Sequence, residues 1–269
     1  MRRSNLKPIV TLLATLVVCA AMPMGCGNGS ATNAGSSGLL SGNWQIAMQQ
    51  NPPSTNGESE SGFLLQTGNS LTGEFALSDQ TQCAGLGSVQ GTLRGSDVAL
   101  TVNQAGETVT LTGTASKDGS GMAGTYSILA ASCGGNSSIG TWTASPVKPV
   151  TGTYLAVFSS GYTGYVYDFA VSLTQGANTG TSIASLSGKM SSSGALCGNS
   201  LNLSGVVSGT SIVFNFLASD GTAVGQFRGT TSADATSMTG TYDFVPQTGG
   251  CGGDAGTITV TLQPTQTTS

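Results

Sequence analysis

The chain contains no histidine. That removes the commonest general base, the commonest zinc ligand and any Ser-His-Asp triad. Charged residues are scarce at 7%. The 12 acidic residues outnumber the 8 basic ones, and three of the basic ones, Arg2, Arg3 and Lys7, crowd the N-terminus. The remainder is clearly acidic, which excludes the basic footprint that nucleic acid requires. No Gly-x-Ser-x-Gly elbow and no phosphate-binding glycine loop followed by a helix occurs. No segment carries a helical apolar period with caps. Charge gives way to Ser, Thr, Asn, Gln and 41 glycines. Such a surface suits an exported protein and offers few groups for acid–base chemistry.

Six cysteines stand against this sparse background. Cys83, Cys133, Cys197 and Cys251 form two pairs, each separated by about 50 residues. An even number in an exported chain reads as disulfides. Export itself is legible at the start. Arg2, Arg3 and Lys7 form a positive n-region, and Ile9 to Met22 is an apolar h-region too short for a membrane span. Met22-Pro-Met-Gly-Cys26 follows, with a small residue directly before the cysteine. This resembles the lipobox of bacterial lipoproteins, although Pro23 stands where that family usually has an aliphatic residue. The resemblance implies a signal peptide over 1–25. It makes Cys26 the acylated, palmitate-bearing first residue, holding the protein to the cell membrane or outer membrane and facing periplasm or exterior. Residues 26–38 read as a flexible tether, roughly 20 Å from end to end.

The rest is duplicated. Leu40-Ser-Gly-Asn-Trp44 answers Val150-Thr-Gly-Thr-Tyr154, Leu111-Thr-Gly-Thr answers Phe227-Arg-Gly-Thr, and Gly121-Met-Ala-Gly-Thr-Tyr126 answers Ser237-Met-Thr-Gly-Thr-Tyr242. The two cysteine pairs fall on the same offset of about 110 to 118 residues. Residues 39–144 and 150–263 are therefore two copies of one domain, with a linker at 145–149 and a disordered tail at 264–269. The repeat selects the pairing Cys83–Cys133 and Cys197–Cys251 from the three possible.

Both copies read as all-β. Val98, Leu100 and Val102 alternate with polar or small residues, as do Phe169, Val171 and Leu173. Turn pairs such as Gly68-Asn69, Gly95-Ser96 and Asp220-Gly221 punctuate the runs. Eight strands per copy predict two tandem eight-stranded antiparallel up-and-down barrels, with two-sheet sandwiches as the alternative. In a meander every second loop lies at one end. The third and seventh connections, which carry the cysteines, share an end with the long first loop, Gln49 to Ser61. Closing about 50 residues by a disulfide is worth roughly 4 kcal/mol on the loop-entropy model. Gly42-Asn-Trp44 and Gly152-Thr-Tyr154, with the Thr-Gly-Thr-Tyr runs, resemble the opening strands of lipocalins and avidins. That resemblance implies a calycin-like barrel. It does not carry over biotin binding, because neither copy has the tryptophans that line an avidin site.

With Cys19 inside the apolar run of the signal peptide, four cysteines bonded and Cys26 acylated, no thiol is left in the mature chain for chemistry. Ser145-Pro-Val-Lys148 has Ser-x-x-Lys spacing but reads as linker. Gly249-Gly-Cys-Gly-Gly-Asp254 matches the start of a calcium β-roll repeat but reads as a single turn. Glu58 and Glu60, with Asp79, suggest a weak calcium site, but the surrounding text reads as a solvated loop. Asp168, Asp243 and Glu74 are the strand carboxylates open to a hydrolase. The aromatic cluster offers more. Tyr167 and Phe169 should face inward, and Tyr162 and Tyr165 sit on a glycine-rich loop, so Tyr162, Tyr165 and Tyr167 are possible ligand contacts. No cofactor, metal or catalytic residue is expected. The expected partners are the membrane, through the lipid anchor, and a small apolar ligand, a glycan or an envelope protein. The expected role is non-catalytic binding, with a structural cell-envelope role as the alternative.

Overall fold

A computed structural model of the protein describes residues 38–53, 58–77, 85–104, 106–130, 137–176, 184–191, 200–246 and 253–264. Cys26, Cys83, Cys133, Cys197 and Cys251 all lie outside these residues, as do the signal peptide and most of the tether.

Eight strands make the first barrel: β1 (Gly42–Gln50), β2 (Glu58–Thr67), β3 (Ser70–Leu77), β4 (Leu86–Arg94), β5 (Asp97–Gln104), β6 (Glu107–Ala115), β7 (Met122–Ala130) and β8 (Ser138–Val147). Each pairs antiparallel with the next, and β8 returns to pair with β1, so the sheet closes. The second barrel repeats this with β9 (Gly152–Ser160), β10 (Val166–Gln175), β11 (Ala184–Ser191), β12 (Ser200–Ser208), β13 (Ser211–Leu217), β14 (Ala223–Thr231), β15 (Ser237–Phe244) and β16 (Asp254–Leu262), closed by β16 on β9. Closure leaves no unpaired sheet edge and excludes the sandwich alternative. β8 runs through Val147, so Ser145, Pro146 and Val147, read from sequence as linker, instead pair with β1.

Alternation builds each core. On β5, Val98, Leu100 and Val102 are buried while Asp97, Ala99 and Asn103 are exposed. On β9, Tyr154, Ala156 and Phe158 are buried between exposed Thr153 and Leu155. A two-residue period places one face inside and the polar, Thr-rich face in water.

One end of each barrel is sealed in the same way. Leu40 precedes β1 and Val150 precedes β9, and both are fully buried. The Leu40 amide donates to Gln66 Oε1 (3.0 Å) and the Val150 amide to Gln175 Oε1 (2.9 Å). Trp44 Nε1 donates to the Leu40 carbonyl (2.9 Å), and Tyr154 OH donates to the Ala235 carbonyl (3.1 Å). Burial pushes the Tyr154 phenol pKa up.

Aspartate-centred turns complete this plugged end. Asp118 Oδ1 accepts from the Ser120 amide (3.0 Å) and hydroxyl (2.7 Å). Asp234 Oδ1 accepts from Ser232 Oγ (2.6 Å), Thr236 Oγ1 (2.8 Å) and the Thr236 amide (3.1 Å). These bonds favour the carboxylate, led by Ser120 at Asp118 and by Ser232 at Asp234. Each pKa falls from 3.8 to about 2. A depressed carboxylate pKa adds stability above pH 3.8 that is lost as pH falls through about 2. Carbon-detected NMR titration should find both midpoints near pH 2. The Asp118→Asn, Asp234→Asn double variant should lose less melting temperature between about pH 4 and pH 2 than the parent. An equal loss would show that these turns do not couple to folding.

The barrels meet along the outer face of β2. Phe63 projects away from the first interior, yet is only 1% exposed. Beside it Thr210 Oγ1 bonds Ser61 Oγ (3.2 Å), and the Gly209 amide donates to Asn43 Oδ1 (3.1 Å). Gly209 has φ of 57°, and a Cβ there would strike the backbone of Ser61 and Gly62. Only glycine suits both the left-handed turn and the close approach.

Candidate functional site

The plugged ends match between the copies, whereas the opposite ends carry different side chains. Strand parity puts the β1–β2, β3–β4, β5–β6 and β7–β8 connections there in the first barrel, and β9–β10, β11–β12, β13–β14 and β15–β16 in the second. The segments carrying the four repeat cysteines belong to this set.

In the second barrel this end is packed with aromatic rings and roofed by a braced loop. Phe158 lies 5.0 Å from both Phe169 and Tyr242, 6.0 Å from Phe216 and 6.3 Å from Phe244, measured between ring centroids. The interior keeps a void of about 10 Å³ among Phe158, Met190, Phe214, Phe216 and Met238. That is room for one water at most.

Asp254 opens β16 and ties the rim together. Ser160 Oγ donates to its Oδ1 (2.7 Å), Tyr242 OH to its Oδ2 (2.7 Å) and the Ala255 amide to Oδ1 (2.9 Å). Burial, then the Asp254 hydrogen bond and charge, push the Tyr242 phenol above its usual range. Ser160 Oγ in turn accepts from the Tyr162 amide (3.3 Å) and the Thr163 amide (3.1 Å). The Ser160 amide donates to the Tyr165 carbonyl (2.9 Å), and the Gly161 amide to the Ala255 carbonyl (2.8 Å). The β9–β10 loop is thus fixed at both ends and at its centre.

That loop presents two of the three tyrosines singled out from sequence. Tyr162 is 76% exposed and Tyr165 65%, with Val166 beside them at 62%. Tyr167 differs: it is half-buried, packs against the core, and holds its ring 6.4 Å from that of Tyr165. Phe169 is buried, as its alternation implied. Sequence reasoning misses the Ser160–Asp254–Tyr242 brace. Its partners are 94 and 12 residues apart in sequence, and no local pattern links them.

The first barrel fills the same end with polar side chains. Glu60 on β2 and Glu107 on β6 are buried at 1% and 8% exposure. Both continue the inward alternation of their strands, Glu60 with Gly62 and Leu64, Glu107 with Val109 and Leu111. Tyr126 and Ser138 are buried with them. Gln104 is the register partner of Glu107, and both its amide atoms are buried. The equivalent positions in the second barrel are Phe169, Ala223, Tyr242, Asp254 and Ala218. The expectation that Glu60 lies in a solvated loop is therefore corrected: β2 begins at Glu58, and Glu60 faces the interior.

The remaining carboxylates named from sequence are not gathered. Asp168 and Asp243 are exposed on outer strand faces, and Asp243 Oδ1 accepts from the Gln226 amide (3.1 Å). Glu74 alternates with inward Gly73 and Phe75 and lies on the outer face of β3. Asp79 and the Glu58 side chain lie outside the described residues. Among the described residues no group of three or more Asp, Glu, Cys or His converges, and no helix is long and apolar enough to cross a membrane.

No family model matches the chain, and no curated protein does. Among solved structures it is similar to a protein of unknown function from the DUF3598 family of Nostoc punctiforme, at 8% identity and a TM-score of 0.20, covering 84% of this chain and 97% of that one. A likeness at that level bears on neither mechanism nor ligand.

Proposed function

We propose that the protein is an exported, lipid-anchored, non-catalytic binding protein that meets a neutral glycan at the loop end of its second barrel. One observation carries this reading: Tyr162 and Tyr165 stand exposed on a loop held by Ser160 and Asp254. Tyrosine offers a large flat apolar face with a polar tip and little rotamer entropy to lose. A loop already fixed loses little further freedom on binding. The Ser- and Thr-rich outer faces suit a hydroxylated, uncharged partner better than an ionic one. The near-solid second interior argues against the alternative of a small apolar ligand held inside that barrel. The lipocalin/avidin-like reading is supported by Trp44, which packs at the plugged end close behind Gly42. The Cys26 anchor, the two disulfides and the membrane location are part of the same proposal and rest on the sequence.

Retention of the mature protein on a panel of neutral polysaccharides and cell-envelope fractions tests this reading. The Tyr162→Ala, Tyr165→Ala variant should weaken retention about tenfold or more, as loss of two exposed aromatic anchors does. Its melting temperature should barely move, since neither ring is buried. Asp254→Asn, which leaves the tyrosines but loosens their brace, should give a smaller loss. Undiminished retention by the double alanine variant would sink the proposal. Crosslinking from position 162 that captured only envelope proteins would favour the structural role. Release of sugar that Glu60→Gln abolished would favour a carboxylate hydrolase.

A further inference from the structure

We infer that the cleft between the plugged ends of the two barrels binds a small carboxylate with an apolar body. The cleft holds about 380 Å³. Small-molecule sites usually run from about 300 to 1,000 Å³ and favour domain junctions. Both barrels contribute walls. Leu39, Trp44, Pro146, Val147 and Pro149 supply an apolar lining from the first barrel and the connection, and Gln175 and Gly176 close the cleft from the end of β10.

The seals of the two plugged ends match, but the rims around them do not. Val147 lies opposite Asn43, and Gln263 takes the same place opposite Thr153. The first copy therefore has Asn43 where the second has Thr153, and Lys148 where the second has Pro264. The space differs as well. Gly42 and Gly152 share a φ of 149°. A Cβ on Gly42 would meet nothing within 4 Å, whereas one on Gly152 would lie 2.7 Å from Leu262 Cδ1. The second copy fills this position and the first leaves it open.

Two side chains of the cleft set the chemistry of its occupant. Lys148 is the one charged residue among the described residues that line it, and no Asp or Glu joins it there. Its position is fixed, because its amide donates to the Ala233 carbonyl of the second barrel (2.8 Å). Asn43 is 4% exposed. Its Oδ1 accepts from the Gly209 amide (3.1 Å), and its Nδ2 has no hydrogen-bond partner. Buried polar atoms are nearly always satisfied by protein, water or ligand, and an acceptor seated in the cleft is the partner at hand. A carboxylate answers both groups, pairing with the ammonium and accepting from the amide. A lone cation matches a single negative charge better than a phosphate dianion. The five apolar side chains call for a hydrocarbon body. The inference is independent of the tyrosine loop, which lies at the opposite end of the second barrel.

Calorimetric titration of the mature protein with octanoate should show saturable one-to-one binding. Octanoate should bind about tenfold more tightly than 1-octanol, the usual worth of a hydrogen bond to a charged group. Lys148→Met keeps an apolar stem and should erase that preference. Leu39→Asp alters a side chain already 51% exposed. It sets a carboxylate in the cleft and should abolish octanoate binding. 8-Bromooctanoate, whose bromine quenches indole at short range, should quench Trp44, and the Trp44→Tyr variant should lose the quenching. Absence of saturable octanoate binding would overturn the inference and leave water as the partner of Asn43 Nδ2. So would a preference for octanoate unchanged in Lys148→Met, binding unchanged in Leu39→Asp, or quenching that persists in Trp44→Tyr.

Discussion

Phe158→Ala should destabilise the second barrel by about 3–5 kcal/mol, the usual cost of removing a large aromatic from a core that cannot collapse around the loss. Phe158 is 1% exposed and sits among Phe169, Phe216, Tyr242 and Phe244. A closed barrel is a poor collapser, because its strands are tied to both neighbours all the way round. The residual void of about 10 Å³ shows how little slack exists before the change. The first barrel has Met48 at the equivalent position, 3% exposed. Met48→Ala removes less area from a more adaptable mouth and should cost less, about 2–4 kcal/mol. Urea unfolding followed by tryptophan fluorescence and by far-UV circular dichroism separates the two. The Phe158 variant should leave the tryptophan transition in place and bring forward part of the dichroism change. A single shifted transition seen by both probes would mean that the barrels unfold as one unit.

That asymmetry between the copies is only partly legible in the sequence. The strands are readable because each obeys two independent rules at once, alternation and glycine-bearing turns. β6 and β14, for example, begin and end where the pattern says. Tyr162 and Tyr165 are readable for the same reason, since a loop between two clear strands exposes what it carries. Glu60 is not. Its surroundings, Glu58-Ser-Glu-Ser61, look solvated by composition, and composition masks a parity signal that Leu64 and Gly62 already contain. Counting back from Leu64 in steps of two places Glu60 inside. β8 runs longer than its sequence suggests for a related reason. Pro146 reads as a strand breaker, yet it pairs opposite Trp44 close to the strand's end, where few ladder bonds remain to be lost. Asp254 has no signal of its own in the sequence, because its meaning depends on Ser160 arriving from the other end of the domain.

Gly124→Val should abolish folding of the first barrel and leave the second intact. The 41 glycines of this chain are not only turn residues. Gly124 lies within β7, directly paired with Gly113 on β6 and Trp142 on β8. A Cβ on Gly124 would collide with the Thr112 carbonyl and lie 2.7 Å from its carbon, and neither backbone atom can swing aside as a flexible side chain would. The glycine pair lets β6 and β7 curl tightly enough to close the sheet, the role glycine plays at barrel corners. It also clears the path of Trp142, whose Nε1 donates to the carbonyls of both Thr112 and Thr125 at 3.1 Å. Valine would thus break sheet curvature and displace a tryptophan that is 1% exposed. Backbone overlap and core disruption together exceed the roughly 4–5 kcal/mol above which single substitutions are exceptional. They rival the whole stability of a domain this size. Trp44 and Trp142 fluorescence should move to the emission of solvent-exposed indole, while amide protection in β9 to β16 persists. Native tryptophan emission from the variant would show that the sheet can close without Gly124. Loss of protection in both barrels would show that the Phe63 and Gly209 contacts make the second barrel's stability depend on the first.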